Sequence, residues 1–190
     1  MTRALYAAGW GYVALCGLVL ARPRVAPPAA PHPAGTPYRG EAAQWFAEMK
    51  PFCNAVEVEV QQQYRPAPEG MQGAGYSAAC FALAGKIDRA RDVIEKLPAS
   101  GRSPAAGIVF DIGHPVADAG DDQSAGPIMR LVVEYQPENY MALYHAGMSE
   151  YILGHAEIAR AQLERFLEIY QADDGWRSNA RTVLDRIEGR

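Results

Sequence analysis

The sequence predicts an all-α fold made of a short stack of helix hairpins, and three observations carry that reading. Gly85, Gly120 and Gly154 each stand five residues before an alanine (Ala90, Ala125 and Ala159), and the glycines are 35 and then 34 residues apart. A unit recurring at this period marks helix-turn-helix repeats. Apolar residues in the best-preserved unit recur at the 3.6-residue helical period. Alanine is abundant and runs of strand-forming residues are few, so composition leans the same way. Of 190 residues, 49% are apolar, enough for one core of about 100–150 residues plus a tail. The net charge is −4, which leaves no basic excess to neutralise phosphates and argues against a nucleic-acid partner.

Residues 4–21, ALYAAGWGYVALCGLVLA, carry no charge and are flanked by Arg3, Arg22 and Arg24. As a helix this segment rises roughly 27 Å, near the lower limit for spanning a bilayer. Residues 1–21 are therefore expected to be an uncleaved signal anchor or a signal peptide cleaved after Ala21. Leu15 before Cys16 is not the small residue that a lipid-anchor signal needs. Residues 22–40, RPRVAPPAAPHPAGTPYRG, read as a semi-extended or disordered Pro/Ala-rich linker. The arrangement points to a membrane-anchored chain whose domain, residues 41–190, lies outside the cytoplasm, with secretion after cleavage as the alternative.

The clearest unit runs from Tyr140 to Gln171. Leu143, Ala146, Gly147 and Tyr151 share one face of a first helix. Gly154 ends it, since glycine accepts the positive φ of a helix terminus. A second helix presents Ile158, Ala159, Leu163, Phe166, Leu167 and Tyr170. Small residues at Gly147 and Ala159 let the two helices approach to about 8–10 Å.

This unit resembles the tetratricopeptide repeat. Leu143, Gly147, Gly154 and Ala159 fit the bulky, small, glycine and alanine slots of that family's pattern, while Glu150 occupies its aromatic slot and Phe166 a usually small one. Residues 106–139 match at Ile112, Gly113, Val116, Gly120, Ala125 and Pro137. Pro115 and Gly126-Pro127 break the pattern there, since proline removes a helical hydrogen bond and clashes with the preceding turn. A helix ending near Gly113, a long loop from His114 to Gly126, and a helix from Pro127 to Tyr135 are expected. Residues 71–98 match at Ala78, Phe81, Gly85, Ala90, Ile94 and Leu97, and Ala99 to Pro104 reads as a connecting loop. Asp88 and Arg91 are a weak surface pair on its second helix.

Upstream, Glu41 to Met49 and Pro51 to Tyr64 read as two further helices. Ala55, 35 residues before Ala90, suggests a decayed fourth unit, although Val56, Val58 and Val60 alternate with polar residues as a strand does. Residues 176–187 form a last helix that caps the stack. The predicted architecture is a solenoid of about three degenerate helix-turn-helix repeats with a C-terminal capping helix.

No phosphate loop, nucleophile elbow, Rossmann fingerprint or paired catalytic carboxylate spacing is present, so neither a catalytic residue nor a cofactor is assigned and the reading is non-enzymatic. His114, His145 and His155 show no metal-ligand spacing and read as satisfied or solvated histidines. Asp118, Asp121 and Asp122 lack the spacing of a calcium loop. Asp121-Asp122 before Ser124-Ala125 fits a helix N-terminus instead. No metal site is assigned. Cys53 and Cys80 either form a disulfide, if the domain is extracytoplasmic, or are two buried thiols.

The family resemblance implies a protein partner, a peptide or helix received in a groove lined by the first helix of each repeat. By position Tyr76, Tyr144, Met148, Tyr151 and Ile152 approach that groove. The competing reading is that they pack between neighbouring repeats. Two other function classes stay open: a self-assembling element that stacks into homo-oligomers through Val183, Leu184 and Ile187 of the last helix, and a small enzyme using the His114–Asp122 segment.

Overall fold

The computed structural model describes residues 40–190. The apolar segment 1–21 and linker residues 22–39 lie outside the described residues. Among the described residues there are nine α-helices and no strand, and none of these helices is long and apolar enough to cross a membrane. In chain order they are α1 (Glu41–Met49), α2 (Val58–Tyr64), α3 (Met71–Leu83), α4 (Ile87–Glu95), α5 (Ala99–Asp118), α6 (Asp122–Tyr135), α7 (Tyr140–Ile152), α8 (Ala156–Ile169) and α9 (Gly175–Glu188).

Helices α3/α4, α5/α6 and α7/α8 pair as consecutive hairpins. The recurring glycines close all three. Gly85, Gly120 and Gly154 have φ of 72°, 77° and 85°, a region that costs an L-residue roughly 1–2 kcal/mol. The same two hydrogen bonds recur at each turn. The glycine N–H donates three residues back, to Ala82, Ala117 and Tyr151. The next residue's N–H donates five back, from Lys86 to Phe81, from Asp121 to Val116 and from His155 to Glu150. This is the Schellman arrangement, which satisfies the last carbonyls of a helix. Each partner alanine, Ala90, Ala125 and Ala159, is fully buried on the returning helix.

The small residues of the first helices do what the sequence implies. A Cβ on Gly147 would lie 2.6 Å from Leu163 Cγ, and one on Gly113 would lie 2.5 Å from Ile128 Cγ2. Phe46, Met49, Val58, Ile94, Ile108, Val109, Ile128 and Met129 are buried in the core around α1–α6. Leu143, Leu163, Phe166 and Trp176 are buried toward the C-terminal end.

Three expectations are corrected, and the helix expected over Pro51–Tyr64 is found only over Val58–Tyr64. Ala99–Pro104 is not a loop but the opening of α5. The segment His114–Gly126 is not a loop either. Helix α5 runs through Pro104 and Pro115 to Asp118, and α6 begins at Asp122 with Pro127 inside it. Ala119 N–H still donates to Pro115 O at 3.0 Å, so the helix continues past its second proline. Each interior proline costs about 3 kcal/mol. Burying Ile108, Val109, Ile128 and Met129, at about 1.5–3 kcal/mol each, outweighs that. Ala55 is exposed in a turn between a 3-10 segment (Lys50–Phe52) and α2, so it does not occupy a helix crossing. The valine alternation of residues 56–60 is not a strand: Val58 is the buried residue of α2, while Val56 and Val60 face outward.

The N-terminal helices are tied on covalently. Cys53 and Cys80 form a disulfide between the loop after α1 and the core of α3. Gln62 and Ser77 add a reciprocal pair: Ser77 Oγ donates to Gln62 Oε1 at 2.5 Å and Gln62 Nε2 donates to Ser77 O at 3.3 Å. Arg91 does more than pair with Asp88. Its guanidinium forks onto Glu134 of α6 at 2.7 and 2.8 Å while also meeting Asp88 at 2.6 Å.

Two stability outcomes follow. Gly147→Ala is expected to destabilise the domain by about 1–3 kcal/mol, because Leu163 must yield to the new methyl group; urea denaturation measures this, and a stability unchanged from the parent would contradict the close approach. The bridge closes a loop of 27 residues, so breaking it is expected to cost about 3–4 kcal/mol. The check is calorimetry of the Cys53→Ser/Cys80→Ala variant beside the reduced parent, with both melting at similarly lowered temperatures.

Candidate functional site

The side chains with most chemistry to offer gather where α5, α7 and the start of α9 meet. His114 lies near the end of α5, and Asp118 follows one turn later on the same face. His145 projects from α7. His114 Nε2 and His145 Nε2 are 3.0 Å apart. Asp118 Oδ1 stands 3.7 Å from the first and 3.9 Å from the second. Both imidazoles are largely buried, with side chains 10% and 11% exposed, whereas the Asp118 side chain is 52% exposed. The cluster therefore has a closed side and a side open to water.

Aromatic rings fix the two histidines. Phe110, one turn before His114, stacks on it at 5.0 Å. Trp176 meets His145 edge-on at 5.4 Å, and Tyr144 fills the space between Trp176 and Phe166 at 4.5 and 5.2 Å. Asn179 Nδ2 donates to the Tyr144 hydroxyl at 3.4 Å. Burial pushes the Tyr144 pKa up, against the opposing effect of that hydrogen bond.

Trp176 is placed by the cap of α9. Asp174 accepts from the backbone N–H of Trp176 at 3.0 Å and of Arg177 at 3.2 Å, and from the Tyr170 hydroxyl. Arg177 in turn donates to the Leu167 and Tyr170 carbonyls at the end of α8. Burial raises the Asp174 pKa, but the three hydrogen bonds to its carboxylate outweigh that and hold it below the ordinary 3.8. The same Asp174 contact first, with burial second, pushes Tyr170 up to about 12.

A second polar cluster lies on the other side of α7. Glu150, only 1% exposed, meets Arg130 Nε at 3.1 Å and His155 Nδ1 at 2.6 Å. This accounts for a carboxylate at the position where the sequence resemblance expects an aromatic residue: Glu150 is ion-paired with Arg130 of α6 and hydrogen-bonded to the imidazole of the residue after Gly154. His155 is thereby accounted for as a hydrogen-bond partner of Glu150. Asp121 caps α6 by accepting from Ser124 N–H at 3.2 Å, and Asp122 accepts from Ser149 Oγ at 3.0 Å. The three aspartates named from sequence thus separate into a member of the histidine cluster, a helix cap and an inter-helix tie.

The five residues assigned to a groove also separate. Tyr76 and Tyr144 are buried, at 3% and 4% exposure, with Tyr76 stacked on Phe46 at 5.1 Å. They pack between helices and are not surface anchors in this arrangement. Met148 and Tyr151 are partly exposed and Ile152 is 60% exposed. These three follow i, i+3, i+4 spacing, so they form one contiguous strip at the end of α7. Val183 and Leu184 of α9 are buried, which leaves Ile187 half-exposed.

Sequence reasoning missed the meeting of His114, Asp118 and His145. The histidines are 31 residues apart, which no local motif describes. The His114-x-x-x-Asp118 pair was hidden by taking Pro115 as the end of a helix; with α5 continued, its i, i+4 spacing is itself a signal. No family model, no curated protein and no solved structure matches the chain.

The cap of α9 has a defined pH signature. Because the Asp174 pKa is lower in the folded state, its contribution is complete above its unfolded pKa and is lost as pH falls through the folded value. Asp174→Ala is expected to cost about 1 kcal/mol at neutral pH. That difference should shrink as pH falls below 3.8, as measured by urea denaturation across the range; a difference independent of pH would contradict the charged cap.

Proposed function

We propose that this chain is a non-enzymatic protein-binding module of tetratricopeptide-like repeats, which docks a peptide or helix of a partner while its N-terminal segment tethers it to a membrane. The observation that carries the reading is the threefold recurrence of one hairpin: the same glycine turn, the same hydrogen-bond pair and the same buried alanine at a period of 35 and 34 residues. Stacks of such hairpins serve mainly as extended binding surfaces. The strip Met148, Tyr151 and Ile152 supplies Met and aromatic character of the kind enriched at interface centres, and Ile152 is open to solvent. The Cys53–Cys80 disulfide supports a domain outside the cytoplasm, where such bonds persist. The burial of Val183 and Leu184 removes most of the apolar surface that end-to-end stacking would use, and favours docking of a different protein over homo-oligomers.

The test is affinity capture with the full-length chain as bait, comparing the parent with Ile152→Asp. Ile152 is exposed, so the variant is expected to keep the parent's circular dichroism and melting temperature while its recovery of a specific prey falls at least about tenfold, a loss of roughly 1.4 kcal/mol. Equal recovery by both forms would move the binding surface elsewhere, and sedimentation of the bait as concentration-dependent oligomers would favour self-assembly.

A further inference from the structure

We propose that His114, His145 and Asp118 form a binding site for one late first-row divalent metal ion of the zinc class, held between α5 and α7. The geometry carries this independently of the adaptor reading. The three donor atoms define a triangle with sides of 3.0, 3.7 and 3.9 Å. The point equidistant from them lies about 2.1 Å from each. That matches Zn–N bonds of about 2.0–2.1 Å and Zn–O bonds of about 2.0–2.2 Å. A four-coordinate ion sits slightly above the plane of three ligands, so the donors need to close by only a few tenths of an ångström. Asp118, the most exposed of the three, has the freedom to do so.

The chemistry of the donors selects the ion. Two imidazoles and one carboxylate suit zinc, copper, nickel, cobalt or ferrous iron, whereas calcium and magnesium take oxygen ligands. The two Nε2 atoms face each other at 3.0 Å. A cation between them accepts a lone pair from each. The site is also preorganised. His114 and Asp118 are one turn apart on a continuous helix, and Phe110, Tyr144 and Trp176 hold the rings. Locked rotamers on rigid elements are what a metal site requires. Three protein ligands on a face with one open side leave a coordination position for water or for a donor from another molecule.

The experiment is calorimetric titration of the full-length protein with Zn²⁺ after removal of adventitious metal by a chelator. One equivalent per chain is expected. His114→Gln and His145→Gln should each weaken binding at least about 100-fold, beyond what the loss of an outer-shell partner costs, and Asp118→Asn should weaken it by roughly tenfold or more. His155→Gln, outside the cluster, should leave binding unchanged. Titration with Co²⁺ should give the intense visible band of a four-coordinate ion in the parent and not in His145→Gln. Because the glutamine variants place new side chains in a packed region, the parent alone supplies a second readout. Zn²⁺ at a hundredfold excess over Kd should raise its melting temperature by about 5–10 °C relative to chelator. Absence of saturable binding, absence of a thermal shift, or binding of equal strength in folded His114→Gln and His145→Gln would each overturn the proposal.

Discussion

The close approach of two helices across a glycine turn is the constraint on which the rest of this structure depends. The turn requires positive φ, which Gly85, Gly120 and Gly154 supply, and the crossing requires small residues at the contact. Where both are met, large residues from the flanks can close over the gap. Leu163 and Phe166 become fully buried around Gly147 and Ala159, and Ile128 and Met129 around Gly113 and Ala125. The conformational penalty at one glycine position is thus linked to several buried side chains. That coupling explains why the pattern recurs in full at the turns while the intervening surface positions vary.

The prolines of α5 and α6 illustrate how far tertiary burial can override local preference. Taken alone, Pro104, Pro115 and Pro127 each argue for a helix end, and their loss of backbone hydrogen bonds is real. The stretch from Pro104 to just past Pro127 nonetheless contributes Ala105, Ala106, Ile108, Val109, Gly113 and His114 to buried positions on α5, and Ala125, Gly126, Ile128 and Met129 on α6. Unwinding at Pro115 would expose part of that surface and remove the i, i+4 register of His114 and Asp118. The single-residue penalty is smaller than the sum it would forfeit.

This divides what the sequence made legible from what it did not. The hairpin turns, the buried alanines, the helix at residues 41–49, the Asp121 cap and the last helix follow from local signals, because φ, capping and periodicity are properties of a few adjacent residues. The extent of α5 does not, since it depends on contacts with α3 and α6 that no window of sequence contains. Tyr76 and Tyr144 were assigned to a groove by slot position, yet slot position does not distinguish a ring facing solvent from one enclosed by Phe46 or Trp176. Glu150 in an aromatic slot looked like a flaw in the repeat. It is legible only once Arg130 and His155 are seen on either side of it.

The histidine cluster and Pro115 fall together at the C-terminal end of α5, where the chain departs from the pattern of its other hairpins. Neighbouring hairpins here join chiefly through α6 lying against both α5 and α7, while α5 and α7 touch each other over a smaller area. Most of the packing between those hairpins therefore runs through α6, and the direct meeting of the two first helices is confined to a small patch. His114 and Asp118 from α5 facing His145 from α7 put polar donors in that patch. An ion held by all three would add a direct link between the two helices at that patch. Met148, Tyr151 and Ile152 lie further along the same helix, one to two turns past His145, so the polar boundary with α5 and the exposed strip are carried by a single element.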